Sequence, residues 1–215
     1  MKLKKLIVLV ACVCGFLTPR NNRAQDVVTY LDNTGQPIAG SMGLGLGYGS
    51  VGAQFQTGTN GGGYFLDSIQ LQFADATGSP MFSGLGVVLC SDYFDGPGNP
   101  VSFLDASQNP LTSGLYTYTP RTDAILESNT KYWLIVGVTS ILGGSAYNVS
   151  YTSTTMASSP DDWTITGITA IGQAGIPIFS IDAISVPEPS VFALLVTAFP
   201  IISGGKYWRR TRSLW

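Results

Sequence analysis

The chain has 215 residues, 26 of them glycine, with three cysteines, no histidine and a formal charge of −2. The lack of histidine excludes Ser-His-Asp and Cys-His nucleophilic systems and removes the commonest zinc and copper ligand. Residues 25–186 hold eleven aspartates and Glu127 against Arg121 and Lys131 alone, about −10, so the bases belong to the two ends; such a surface repels phosphate backbones and excludes nucleic acid as a partner.

Lys2, Lys4 and Lys5 precede an apolar stretch at 6–17, the n- and h-regions of a secretory signal peptide and a candidate signal helix. Cleavage after Ala24 is the favoured reading. The rival is the lipobox-like Leu9-Val10-Ala11-Cys12, which would lipidate Cys12, although its apolar region of about six residues is shorter than usual. Cys12 and Cys14 fall in this segment, so the exported part keeps Cys90 alone and forms no internal disulfide. Its stability must come from a packed core. Within Val87-Val88-Leu89-Cys90, that cysteine reads as a small buried apolar residue rather than a reactive thiol.

From residue 25 onward, period-two alternation punctuated by Gly, Ser, Thr and Asn predicts an all-β domain. Strands are expected at 27–31, 51–57, 65–73, 86–90, 115–119, 132–138, 146–152, 163–168 and 176–183. In 65–73, Ile69, Leu71 and Phe73 share one face and Ser68, Gln70 and Gln72 the other, so one face is buried and one is wet. The runs 86–90 and 132–138 are almost continuously apolar and suit central strands. Thr77-Gly78-Ser79-Pro80 reads as a turn. Nine or ten short strands over about 160 residues argue for an antiparallel, jelly-roll-like β-sandwich.

Chemistry is sparse along this stretch. Gly47-Tyr48-Gly49-Ser50-Val51-Gly52 fits a dinucleotide fingerprint by spelling, but a strand pattern follows where a helix is needed. The alternating glycines at 43–49 read instead as a strand with one bare face. No cofactor is expected. Asp92, Asp95 and Asn99 make an oxygen-rich loop and weak calcium candidates; the spacing is not that of an EF-hand, and a Gly/Pro turn through Gly96-Pro97-Gly98 is favoured. Asp161 and Asp162 read as turn or capping residues. A two-carboxylate glycosidase is conceivable, but no pair stands out among so many aspartates. Tyr93, Phe94, Tyr147 and Tyr151 belong to an aromatic set that stacks on sugar rings wherever several share an exposed face; Tyr116, Tyr118 and Trp163 are its candidates for an exopolysaccharide contact.

The chain closes with Val186-Pro187-Glu188-Pro189, an apolar run at 191–202 and a basic tail bearing Lys206, Arg209, Arg210 and Arg212. As a helix, 191–205 spans about 22 Å against a hydrocarbon core of about 30 Å, and Ser190, Tyr207 and Trp208 bring it near 28 Å with the aromatics at headgroup depth. It is a marginal transmembrane helix, weakened by Pro200. The tail should stay cytoplasmic and leave the β-domain outside.

In that three-part order the segment resembles the PEP-CTERM sorting signal of bacterial exosortase substrates, although Thr197, Pro200 and Ser203 interrupt the run. The resemblance covers about thirty residues. It implies recognition and processing by an exosortase, a membrane-embedded transpeptidase or protease, after delivery by the secretion machinery. Gln54-Phe55-Gln56-Thr57-Gly58, residues 64–71, Ser91-Asp92 with Gly96-Pro97-Gly98, and Asn129-Thr130-Lys131-Tyr132-Trp133-Leu134 resemble choice-of-anchor extracellular β-domains. That likeness implies fold and surface location and carries no catalytic residues. The expected organisation is a signal peptide at 1–24, an extracellular β-domain at 25–185 and a sorting signal at 186–215. The expected function is a non-enzymatic envelope or matrix protein, with a carbohydrate-binding module and a two-carboxylate glycoside-acting enzyme as alternatives.

Overall fold

The computed structural model describes residues 26–44, 50–76, 84–138, 147–170 and 175–187. The signal segment, Cys12, Glu188, Pro189, the apolar run and the basic residues Lys206, Arg209, Arg210 and Arg212 lie outside the described residues, as do both expected flanking helices and the turn at 77–80. Among the described residues no helix is long and apolar enough to cross a membrane.

Each regular element described is a strand: β1 (Val28–Asp32), β2 (Gly40–Leu44), β3 (Val51–Gln56), β4 (Tyr64–Ala76), β5 (Leu85–Tyr93), β6 (Gly96–Asp105), β7 (Gly114–Pro120), β8 (Ile125–Leu126), β9 (Lys131–Val138), β10 (Tyr147–Thr152), β11 (Thr164–Ala170), β12 (Ile176–Pro177) and β13 (Phe179–Ser185). The pairing is antiparallel along the order β1-β13-β4-β7-β6-β5-β9-β3-β11. Strand β10 continues from the C-terminal end of β4 and carries β2 and β12, while β8 pairs the start of β4. Strand β7 joins the two halves, meeting β4 at Ile69↔Tyr118 and β6 at Leu104↔Pro120. The sheet is nearly closed and barrel-like, although its end strands β1 and β11 do not pair with each other.

Burial largely follows the alternation that defines the strands, but Ser68, expected on the wet face of β4, is buried and donates to Asp182 on the neighbouring β13 at 3.0 Å. Ile69, Leu71 and Phe73 of β4 are fully buried, as their shared face requires. In β9, Tyr132, Leu134 and Val136 join the core contributed by both halves of the sheet, whereas Trp133 takes the other parity. There it sits in a row with Gln54 of β3 and Cys90 of β5. Rings fill the centre: Trp163 stacks on Tyr30 at 5.4 Å and on Phe55 at 5.8 Å, and meets Tyr64 edge-on at 4.9 Å. Such pairs add about 0.5–1.5 kcal/mol each beyond the area they bury. The buried amide of Asn33 is engaged at both its nitrogen and its oxygen, donating to the Pro177 carbonyl at 3.0 Å and accepting from the Phe179 N–H at 2.7 Å.

One expectation is corrected. Gly96-Pro97-Gly98 is not a turn: the reversal takes only Phe94 and Asp95, and 96–100 form the first half of β6, with Pro97 opposite Asp92 and Pro100 opposite Cys90. Strand β6 pairs β7 only at Leu104 and Asp105, so its other side is an open edge at the prolines and no ladder donor is lost. The short β2, β8 and β12 also raise the strand number above that expected from periodicity.

Candidate functional site

Two features gather at one end of the β-domain, where the 57–63 loop meets the 127–130 turn. The loop and turn are laced together: the Thr57 hydroxyl donates to the Glu127 carbonyl at 2.6 Å and accepts from the Thr130 N–H at 2.9 Å, while the Asn129 N–H donates to the Gly58 carbonyl at 2.7 Å. Gly63 adopts φ +77°, a conformation that a side chain disfavours, and a Cβ there would come within 2.6 Å of the Leu126 carbonyl. A methyl at Gly58 would overlap the Asp161 carbonyl.

The first feature is the exit of the chain. Val186 continues β13 by one residue, its N–H donating to the Gly63 carbonyl at 2.9 Å. The Asn60 side-chain amide donates to the Gly63 carbonyl at 2.5 Å and to the Val186 carbonyl at 3.1 Å. The unit Asp26–Val186 therefore closes one residue before Pro187, which is exposed.

The second feature is a groove of about 600 Å³ lined by the end of β5 (Ser91, Asp92), Val101 of β6, Ile125 of β8, the turn residues Glu127, Asn129 and Thr130, and Lys131 and Tyr132 of β9. That volume lies within the range of small-molecule sites, about 300–1,000 Å³. Asp92 is fixed in place: its Oδ1 accepts from the Trp133 indole N–H at 2.7 Å and the Gln54 amide at 2.6 Å, and Gln54 accepts in turn from the Thr166 hydroxyl at 2.7 Å. Asp95, at the hairpin tip, accepts from Lys131 at 2.8 Å. The Lys131 ammonium holds the Asp95 carboxyl below the usual carboxylate range, and Asp95 raises Lys131 reciprocally. The other base of this stretch, Arg121, grips Asp105 through Nε at 2.9 Å and Nη2 at 2.7 Å.

The aromatic candidates do not share one exposed face. Trp163 and Tyr118 are each 2% exposed and lie inside the core cluster. The Tyr118 hydroxyl and the Trp163 indole N–H have no hydrogen-bond partner among the described residues, and burial, with Tyr147 and Tyr116 nearby, pushes the Tyr118 phenol strongly up. Tyr116 is half-buried, edge-on to Phe73 at 5.7 Å; its hydroxyl donates to the Thr112 carbonyl at 3.0 Å, lies 3.3 Å from the Thr112 hydroxyl and accepts from the Thr112 N–H at 3.2 Å, and the Thr112 side chain first, then that N–H, lower its pKa. The exposed pair is instead Tyr93 and Phe94, 67% and 88% exposed, with ring centroids 4.6 Å apart.

The remaining sequence candidates are placed as follows. Cys90 is buried, and burial raises its thiol pKa, which suits a packing role. Gly52 lies within β3 and opens no helix, so the dinucleotide fingerprint lacks its structural context. Among the described residues no three acidic or cysteine side chains converge on a common metal position, and one oxygen each of Asp92 and Asp95 is already engaged by N–H donors. Asp161 accepts from the Tyr64 hydroxyl; burial first, then this contact, raises the Tyr64 pKa. The Asn60 clamp and the groove went unseen in the sequence because each needs segments far apart in the chain. Asp95-Gly96 did carry a hairpin signal, one residue out of register with the actual turn. Compared with protein-family models, with curated proteins and with solved structures, the chain matches none.

Proposed function

We propose that this is an exported, non-enzymatic protein of the cell envelope or extracellular matrix, carried out by the 1–24 signal helix and held by a transmembrane helix within 186–215. In this reading an exosortase recognises Val186-Pro187-Glu188-Pro189 and processes the chain there, releasing an acidic, jelly-roll-like β-sandwich of the choice-of-anchor kind. The observation that supports it is the position of Val186: the first residue of the motif is also the last of the compact unit Asp26–Val186, hydrogen-bonded to Gly63 and Asn60, and Pro187 beside it is exposed. A processing motif that starts at the end of a compact unit can be reached by an enzyme without unfolding that unit, and proline at two of its four positions favours an extended chain. Intact-mass measurement of the exported protein should give a C-terminus between Val186 and Ser190. Finding Arg212 on the mature protein, or normal processing after Pro187, Glu188 and Pro189 are all changed to alanine, would sink the proposal.

A second reading, a carbohydrate-binding module directed at exopolysaccharide, is favoured by the exposed Tyr93 and Phe94 rings beside a polar groove.

A further inference from the structure

We infer that the Tyr93-Phe94 hairpin tip and the groove beside it form a binding site for a neutral glycan; this rests on the carbohydrate-binding reading and assigns its residues. The tip is built against its own backbone preference. Phe94 and Asp95 occupy the two turn positions at φ 51° and 58°, where Asn-Gly is the favoured pair and a bulky side chain is a rare outlier. A phenylalanine that is 88% exposed contributes nothing to the core in return. Strain held at an exposed aromatic points to a role in contact with something outside the domain.

The chemistry beside the tip selects the ligand. The Lys131–Asp95 ion pair ties the tip to a residue of the groove wall, so the turn that carries the two rings lies next to a cavity bearing the carboxylates Asp92 and Glu127 and the amide Asn129. Flat rings next to fixed acceptors and donors match a pyranose, which offers an apolar C–H face and a rim of hydroxyls. Three carboxylates, Asp92, Asp95 and Glu127, face one ammonium, Lys131, in a domain already strongly acidic. A polyanion or an anionic lipid surface is repelled there, so among sugar chains the exposed ring pair suits an uncharged one. Asp92 also connects the groove to an optical reporter, because it accepts the indole N–H of Trp133.

The test passes the full-length protein over immobilised cellohexaose, xylohexaose and mannohexaose, with oligogalacturonate as the anionic counterpart. Retention by at least one neutral hexasaccharide is expected, with a change in Trp133 fluorescence that disappears in Trp133→Phe. Phe94→Asn suits the backbone at that position better than phenylalanine, so it should raise the melting temperature while weakening retention at least tenfold; Tyr93→Ala should weaken it too. A binding loss that accompanies a gain in stability is not a folding defect. Retention that survives Tyr93→Ala/Phe94→Asn would leave glycan binding standing and overturn this site. No retention by any neutral glycan, or retention by oligogalacturonate alone, would overturn both the site and the reading on which it rests.

Discussion

Two aromatic clusters in this domain use the same residue types in opposite ways. Around Trp163, the rings of Tyr30, Phe55 and Tyr64 arrive from three distant strands and enclose it until 2% of its surface remains accessible. At the β5–β6 tip, Tyr93 and Phe94 touch each other and are otherwise open to solvent. The backbone differs as sharply. Phe55 and Tyr64 lie in regular, paired strands, whereas Phe94 occupies a left-handed turn position. Aromatic content alone therefore does not separate a core from a contact surface. The backbone on which each ring is mounted does.

Trp163→Ala tests the core side of this contrast most severely. Removing that indole empties the space between Tyr30 and Phe55 and should cost about 3–5 kcal/mol, whereas Phe94→Ala should stay within about 0.5 kcal/mol, as surface changes usually do. Chemical denaturation of the two variants measures both. Equal losses would mean that the tip is as structural as the centre.

Raising the pH should weaken the core cluster and leave the tip alone. Burial raises the pKa of Tyr64, Tyr118, Tyr132 and Tyr147, with desolvation the largest cause for each. A phenol unfolds into water with a pKa of about 10. Since the folded values are higher, the unfolded chain releases its protons first. The stability these groups contribute is fully present below about pH 10 and is lost as pH rises through the folded values. Tyr116 shifts the other way, but it is a single group against four. Unfolding free energy followed from pH 8 to 11 should fall steadily above about pH 10, and a flat profile would contradict the burial of these phenols.

Tyr64→Phe is a smaller step within the same cluster. It keeps the ring against Trp163 and Tyr30 but deletes the hydroxyl that donates to Asp161 and accepts from the Asn60 N–H at 3.1 Å. A loss of about 1–3 kcal/mol is expected, because the Asp161 carboxylate loses a partner in a half-buried setting. No measurable loss on chemical denaturation would place the contribution of Tyr64 in its ring alone.

How far the sequence announces these arrangements depends on the range of the interactions. Strand β4 was legible because Ile69, Leu71 and Phe73 alternate with polar neighbours, and burial on one face is a local consequence of the pleat. Strand β9 was legible as a central strand from its apolar run, and it lies between β5 and β3. Strand β6 was misread because its prolines suggest a turn, and only the knowledge that this stretch is an open edge makes them harmless. The candidate stacking set Tyr116, Tyr118 and Trp163 was chosen by residue type. What decides burial is the register that sets Tyr118 opposite Ile69 and the encirclement of Trp163 by Tyr30, Phe55 and Tyr64, all far upstream in the chain. The groove joins 91–92 to 127–132, and nothing local to either segment foretells their meeting.

Tyr118 offers the finest test, since its ring belongs to the core while its hydroxyl has no partner among the described residues. A buried hydroxyl without a partner costs desolvation and returns no bond, so Tyr118→Phe should be neutral or should stabilise by up to about 1 kcal/mol. It should also make the decline at high pH shallower, because one of the raised phenols is gone. Tyr132→Phe is the matched control: that hydroxyl accepts from the Glu127 N–H at 2.8 Å, and its removal should cost about 1 kcal/mol. If both variants lose the same amount, the Tyr118 hydroxyl has a partner in solution, such as an ordered water. If Tyr118→Phe alone gains, this tyrosine contributes packing through its ring and its oxygen is a tolerated expense.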